Sequence, residues 1–356
     1  MNTLKVRNVN EALERGIDLF CFPDNYIEQD SRNGKTLELN EPLTTVYQNP
    51  WERVLFCTKR DANPFFHFIE SLWMLNGNND LAPLTYFVKS MKDFSDDGRT
   101  LNAAYGNRWR SYFGEDQIEQ IIDILIKNPD DRRAVLQMWG IQDLADKSLD
   151  VPCNTNIYFK IRNGKLNMTV CNRSNDMVWG AYGANAVHMS ILQEYIALAI
   201  GVDIGVYTQI SDSLHVYQNK VWDRIKGAEL DPLTYRHLSS DYCDGYEYSP
   251  LYTDKEIFDK ELRIFFSPFN LWWHDVSSDE HRLITDEKKI DLSNYNFNEP
   301  TFKNIAMPMV KAFRAHKEKD YDKAYEYVSK ITAQDWMVAC FNWITKRDKL
   351  HNLNNK

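Results

Sequence analysis

NIYFKIRNGKLNMTVCNRS, residues 156–174, consists of two alternating apolar and polar runs on either side of Asn163-Gly164. Alternation at a period of two turns one face of each run to a core and the other to solvent. Asn-Gly suits a two-residue turn that needs positive φ at both positions, so the stretch predicts an antiparallel hairpin. Downstream, the apolar run at 184–200 predicts a buried helix, with Gly201 as its left-handed cap. VYTQI at 206–210 then reads as another strand.

Upstream, DANPFFHFIESLWMLNG (61–77) predicts a helix with Pro64 in its first turn and Gly77 at its end. DQIEQIIDILIK (116–127) predicts a second helix, stopped by Asn128-Pro129, and AVLQMW (134–139) a buried strand. Beyond about 215 the pattern is mainly helical, with amphipathic stretches near 255–266, 302–317, 320–331 and 333–346. The aromatic run IFFSPFNLWWH (264–274) suits a core better than an interface. Mixed element order of this kind implies an α+β fold, a mainly antiparallel sheet with packed helices and an extended helical C-terminal region. The expected division is a catalytic core over 1–217 and a mainly helical part over 218–356 packed on the same domain.

Apolar residues make up 43% of the 356, enough to build a sizeable core and exclude disorder as the main state. A net charge of -9 argues against a protein that coats nucleic-acid phosphates, although a few arginines would still hold one phosphate. No apolar run approaches the roughly 20 residues a membrane helix needs, and MNTLKVRNVNEALERG carries no secretory h-region. The six cysteines (21, 57, 153, 171, 243, 340) form no CxxC pair, which points to free thiols in a reducing cytoplasm and to no metal site.

Chemistry concentrates around DVPCN (150–154), where Cys153 ends a loop just before the hairpin. A lone cysteine is usually a small buried apolar residue. Its neighbours in sequence raise another reading. Arg132-Arg133 opens a strand, Arg173-Ser174 closes the hairpin, and Asp176 follows. A guanidinium needs an anionic partner, and a phosphate supplies one bidentately. An arginine near the thiol would also lower its pKa. Salt bridges to the chain's own carboxylates would satisfy the same arginines, and on these residues alone both readings stay open.

PCNTNIYFKIRNGKLNMTVCNRSNDMVWGAYGANAVHMS (152–190), followed by SDSLHVY (211–217), resembles the thymidylate synthase and pyrimidine hydroxymethylase family. FIESLWMLNG (68–77), AAYGNRWR (103–110) and NPDDRRAVLQMW (128–139) fall in family order, so the likeness covers about residues 30–217. It implies that Cys153 adds to ring carbon 6 of a pyrimidine nucleoside monophosphate. It further implies that Arg132, Arg133, Arg173 and Ser174, with Arg32 of SRNGKT, hold the phosphate, Arg132 and Arg133 being lent across a homodimer. By the same resemblance Glu70 orders water and moves protons, and Tyr105 helps to deprotonate carbon 5. Asn185 reads the base edge once one residue is inserted after Gly180, His215 and Tyr217 hold the sugar hydroxyl, and Asp176 binds the pterin of 5,10-methylenetetrahydrofolate, the cosubstrate. The chemistry is coherent: thiolate addition at carbon 6 turns the ring into an enolate that attacks a one-carbon electrophile at carbon 5.

Three departures from the synthases point to hydroxymethylation of dUMP or (d)CMP instead of reductive methylation, within nucleotide biosynthesis. Asp150-Val151 stands where synthases carry a leucine, KSMKDFSDDG (89–98) lacks their tryptophan, and the chain continues into new helices and ends HNLNNK in place of a short apolar closing tail. A further departure, Asn154 where synthases have a histidine after the cysteine, bears on the base edge and keeps the cytosine nucleotide open as substrate. A wet, polar pocket lets water attack where a dry one favours hydride delivery. The alternatives are a thymidylate synthase, a Cys153–His215 thiol hydrolase, which would work on thioesters without folate, and a non-catalytic nucleotide-binding module, whose role would survive loss of Cys153.

Overall fold

Strand β1 (Asn2–Val6) leads into α1 (Val9–Leu19), followed by β2 (Tyr26–Ser31), β3 (Gly34–Leu39) and β4 (Leu43–Tyr47). Then come α2 (Pro64–Leu75), α3 (Ala82–Phe87), α4 (Tyr105–Arg110), α5 (Gln117–Lys127) and β5 (Val135–Gln137). The hairpin strands β6 (Asn154–Arg162) and β7 (Lys165–Asp176), helix α6 (Asn185–Ile200) and strand β8 (Asp203–Tyr217) complete the part that carries the motifs. This computed structural model describes residues 2–145, 147–218, 221–226, 242, 246–267 and 295–354. Cys243 and residues 268–274 of the aromatic run lie outside them.

The hairpin closes as its sequence predicts. Arg162 faces Lys165, and Asn163 (φ 53°) and Gly164 (φ 72°) are both left-handed. Helix caps follow local chemistry too: Asn63 accepts from the Phe66 amide to start α2, and Gly201 (φ 79°) ends α6. The sheet order is β1-β4-β8-β7-β6-β5, with β3 also on β8 and β2 on β3. Of the seven strand pairings among the described residues, five are antiparallel, while β1 with β4 and β7 with β8 are parallel. Helix α6 makes the crossover between the parallel pair β7 and β8, as parallel neighbours require.

Two sequence expectations are corrected. The strand expected over 134–139 is an edge strand, with Leu136 buried between an exposed Val135 and an exposed Gln137. The strand expected over 206–210 runs through all of Asp203–Tyr217, because β4 pairs with its first half and β3 with its end. The polar Ser211-Asp212-Ser213 inside it reads as a loop by composition, and the partner strands override that.

All twelve residues of α2 are buried, so this helix has neighbours on every side. On one side it packs against α6. On another the C-terminal helices cover it. Phe65 lies 5.6 Å from Phe313 and 5.5 Å from Trp343, and Phe68 lies 5.1 Å from Trp336, ring centre to ring centre. Those partners sit on helices Met307–Lys317 and Gln334–Asn354. The first is preceded by a π-helical turn over Thr301–Ala306, so the expected 302–317 helix is two pieces, with Pro308 in the first turn of the second. Phe265 and Phe266 are buried in the same core. Among the described residues no helix is long and apolar enough to cross a membrane.

Gly106 fixes how closely α4 approaches α2, since a Cβ there would lie 2.0 Å from the Met74 carbonyl oxygen. Gly106→Ala is expected to cost at least about 1–3 kcal/mol by overpacking and to displace the adjoining Tyr105. Urea unfolding should report the first effect and turnover at saturating substrate the second.

Candidate active site

Cys153 is held from one direction by the end of β7. The Arg173 amide donates to the Cys153 carbonyl at 2.9 Å, its Nε to the Pro152 carbonyl at 2.9 Å, and its Nη2 to the Val151 carbonyl at 3.2 Å. The guanidinium also lies 5.2 Å from the Trp139 ring. Position 173 stands beside the cysteine because Asn172 pairs with Asn154 across the hairpin. Strand register therefore places Cys153 next to Arg173.

The surroundings of the thiol push its pKa up. Burial is the largest cause, Asp150 and Asp176 add to it, and Arg173 and Arg32 oppose it without prevailing. The neighbouring arginines do act downward as expected, but desolvation of the thiolate outweighs two partly solvated cations and leaves the net shift upward. Tyr105, at the start of α4, takes a hydrogen bond from the Asn154 amide, and burial with the nearby Cys153 and Asp150 charges drives its phenol well above the usual range. Asp150 binds the Ala103 amide through Oδ2 at 2.8 Å and, being buried, has its pKa pushed up to about 6. Arg32, in the β2–β3 turn, reaches over this loop and donates from Nη1 to the Ser148 carbonyl at 3.2 Å and from Nη2 to that of Leu149.

The parallel ends of β7 and β8 bring in the next group. Ser174 pairs with Ser213 and Asp176 with His215. Asp176 Oδ1 accepts from the Val178 and Trp179 amides at 2.8 and 2.6 Å, and burial raises the carboxyl's pKa against those bonds and the His215 charge. The His215 and Tyr217 rings meet edge to face at 5.2 Å. Between Asp176 and α6 the chain winds as a π-helix over Met177–Ala184 with a kink at Tyr182 and Gly183. A π-turn is how a helix accommodates one extra residue, and such turns gather at functional sites.

Asn185 opens α6, and its Nδ2 donates to Asn175 Oδ1 at 3.1 Å, while Asn175 Nδ2 donates to Ser211 Oγ at 3.1 Å. A Cβ on Gly180 would sit 2.9 Å from Asn175 Oδ1 and 3.0 Å from Asn185 Nδ2, so a small residue is needed where these amides meet. One turn along α6, His188 Nε2 lies 3.0 Å from Glu70 Oε2 on α2, at an angle that makes no hydrogen bond. Glu70 is thereby tied to the same helix as Asn185.

Arg132 and Arg133 stay apart from this group within one chain. Both are exposed, and Arg133 already pairs with Asp131 at 2.7 Å, as the carboxylate alternative anticipates. Extending the β5–β6 register sets Arg133 opposite Lys160, seven residues along β6 from Cys153, or roughly 20 Å at the usual strand rise. Four contributors went unread in the sequence. Asn172 and Asn175 are buried amides behind the pocket, and His188 is a buried imidazole. Asn172 shares the phase of Leu166, Met168 and Val170 on the inward face of β7, and that was the available signal. Arg60, also missed, is buried, donates to the Val178 carbonyl at 2.8 Å and lies 4.2 Å over the Trp179 ring. Among the described residues no cluster of three His, Cys, Asp or Glu could hold a metal ion.

Comparison with known proteins gives a consistent set. The thymidylate synthase family model matches residues 28–231. A deoxyuridylate hydroxymethyltransferase of Pseudomonas phage M6 is 41% identical over 357 residues, covering 98% of this chain and 95% of that one. A second protein of that name, from Bacillus phage SP01, is 40% identical over 196 residues, 52% of this chain and 51% of its own length. The crystal structure of T4 phage thymidylate synthase aligns with 65% of this chain and 88% of that chain, at 22% identity and a TM-score of 0.46.

Within a single chain burial dominates, so Cys153 of the monomeric protein should alkylate slowly at neutral pH and reach half its maximal rate above the midpoint of a free cysteine. Arg173→Gln should move the midpoint further up, as peptide mass spectrometry of iodoacetamide-treated protein across pH would reveal. A midpoint at or below that of free cysteine would contradict the electrostatics described above.

Proposed function

The chain belongs to the thymidylate synthase family and is a transferase, and from that premise we propose that it hydroxymethylates deoxyuridylate at ring carbon 5. The observation that carries the reading is the similarity, along almost the whole chain, to a phage protein named for that reaction. The polar wall beside Cys153, where Asp150 and Asn154 stand, supports hydration over reduction.

In this reading dUMP, a one-carbon donor and water give 5-hydroxymethyl-dUMP, with no net redox change. Cys153 loses its proton and its sulfur bonds to carbon 6, placing an electron pair on the ring for carbon 5 to use. Asn185 meets the base edge. Its Nδ2 keeps one N–H beyond the bond to Asn175, and its Oδ1 makes no hydrogen bond among the described residues, which suits the C=O and N–H of uracil. Tyr105, held neutral, and Glu70 move protons at the ring. His215 and Tyr217 take the sugar hydroxyl. Arg173, with Nη1 unused among its hydrogen bonds, joins Ser174 and Arg32 at the phosphate.

The residues beyond the base fit a reduced folate. Trp179 is 49% exposed, a flat face for a pterin, and Asp176 Oδ2 makes no hydrogen bond among the described residues. Methylenetetrahydrofolate, when bound, supplies a carbon at the oxidation level of formaldehyde. A homodimer completes the picture. One chain's arginines fail to bring the thiol pKa down, and Arg132 and Arg133, exposed and distant from their own Cys153, are suited to serve a second copy. Added positive charge there would favour the thiolate. Such an enzyme works in the cytoplasm, where nucleotides and reduced folate are found.

The decisive assay incubates the protein with dUMP or dCMP and methylenetetrahydrofolate and weighs the product. Hydroxymethyl-dUMP is expected, and a methylated product would overturn the reading. Cys153→Ala should abolish turnover while leaving dUMP binding measurable by calorimetry. Asn185→Asp should shift the dUMP to dCMP preference at least about tenfold towards cytosine, or about 1.4 kcal/mol of discrimination, since a protonated carboxyl matches the 4-amino edge. An unchanged ratio would assign base reading to another side chain.

A further inference from the structure

Asp150 stands on the thiol's own loop, three residues before it, and is fixed at several points. Its Oδ2 accepts from the Ala103 amide at 2.8 Å, its carbonyl accepts from Asn102 Nδ2 at 3.0 Å, and its amide donates to Ser148 Oγ at 3.0 Å. The segment that grips it, residues 102–103, runs directly into Tyr105, whose phenol takes the Asn154 amide. Asp150 raises the proton affinity of both the Cys153 thiol and the Tyr105 phenol, so the three groups share one wall.

Among the described residues no cation forms an ion pair with this carboxylate. Arg108 and Arg32 are the positive groups that act on it, and both are committed elsewhere. Arg108 forms a buried pair with Asp143 at 2.7 Å, and Arg32 donates to the carbonyls of residues 148 and 149. Asp96, the other carboxylate in range, opposes ionisation and is itself bound by Ser148 and the Leu149 amide. Oδ1 of Asp150 makes no hydrogen bond among the described residues. A half-buried carboxylate anchored by one oxygen, unpaired at the other and set beside a nucleophile has the attributes of a general base. Its proton affinity fits the role: burial places the switch to the basic form at about pH 6.

We propose that Asp150 is a catalytic residue, the base that activates water for addition to the one-carbon unit on carbon 5. This rests on the hydroxymethylation reading. The water oxygen bonds to the exocyclic methylene carbon of the Cys153-linked nucleotide, and the water proton passes to Asp150 Oδ1. The methylene π electrons move into the ring and on to the carbonyl oxygen as an enolate. Collapse of that enolate re-forms the carbon 5 to carbon 6 double bond and expels the Cys153 sulfur as thiolate, which regains a proton. Nothing is oxidised or reduced.

The role separates two halves of one turnover. Dimeric full-length protein, dUMP tritiated at carbon 5 and methylenetetrahydrofolate would be followed in a single turnover, reading tritium release for the first half and hydroxymethyl-dUMP by mass for the second. Asp150→Asn keeps an oxygen for the Ala103 amide and removes the base. It should slow hydroxymethyl formation about 100-fold, the lower end for acid–base catalysis, while tritium release falls less than about tenfold. The intact protein should then gain the mass of the nucleotide plus one carbon. Wild-type product formation should rise with pH through about 6, and Asp150→Asn should lose that inflection. Because a negative charge is removed, Cys153 alkylation in Asp150→Asn should shift to lower pH, a readout independent of turnover, and Asp150→Glu should restore part of the product rate. Tritium release and product slowed in equal proportion, or product unchanged, would overturn the role of Asp150 while the function stood. A methyl product from the wild type would overturn both together.

Discussion

Arg173 donates to three consecutive carbonyls, of Val151, Pro152 and Cys153, and this fan of hydrogen bonds sets where the thiol can be. A loop segment with no secondary structure of its own is thereby fastened to the end of the sheet's central strand pair. The fan depends in turn on hairpin register, because a slip of one residue would send the guanidinium to the opposite face. That register is pinned at the far end by Asn163 and Gly164, both left-handed. A two-residue turn at one end of β6 and β7 and the Cys153 thiol at the other are thus parts of one device.

The parallel pairing of β7 with β8 extends the same logic. Matching strands end together, so Ser174, Asp176, Ser213 and His215 arrive as a set from two separate stretches of sequence. Helix α6, which makes the crossover, starts at Asn185 and carries His188 one turn later. The distance between Glu70 and Asn185 is then governed by how α2 packs on α6, and α2 is buried along its whole length. C-terminal helices contribute Phe313, Trp336 and Trp343 to that packing, so they support the helix that carries Glu70.

What could be read from sequence was local. The hairpin, the start of α2 at Asn63-Pro64 and the end of α6 at Gly201 each follow from a few neighbouring residues. Strand β8 was under-read because Ser211-Asp212-Ser213 looks like a loop until β3 and β7 are beside it. The candidate residues were legible through motif likeness, and strand register is what brings several of them to neighbouring strand ends. The state of the thiol was not legible, since it is a balance among burial, two carboxylates and two arginines that only the folded chain assembles. Arg133 needed less: its partner Asp131 is two residues away.

Buried amides decide what the pocket can recognise. Asn154 donates to Asn172 Oδ1 at 3.2 Å and Asn172 to the Ile210 carbonyl at 3.2 Å, while Asn185 donates to Asn175 and Asn175 to Ser211. Each link is a donor meeting an acceptor, so turning any one amide over would break a bond and leave a buried polar group unsatisfied, at about 1–3 kcal/mol. The orientation of the Asn185 amide is therefore coupled to that of Asn175, which is bound in turn to Ser211 on β8. Asn154 Oδ1, by contrast, is buried with no hydrogen-bond partner among the described residues. A position that elsewhere in the family carries an imidazole here holds a carbonyl oxygen, which can only accept. Acceptor oxygens without a hydrogen-bond partner among the described residues are thus left on both sides of Cys153, at Asp150 Oδ1 and Asn154 Oδ1.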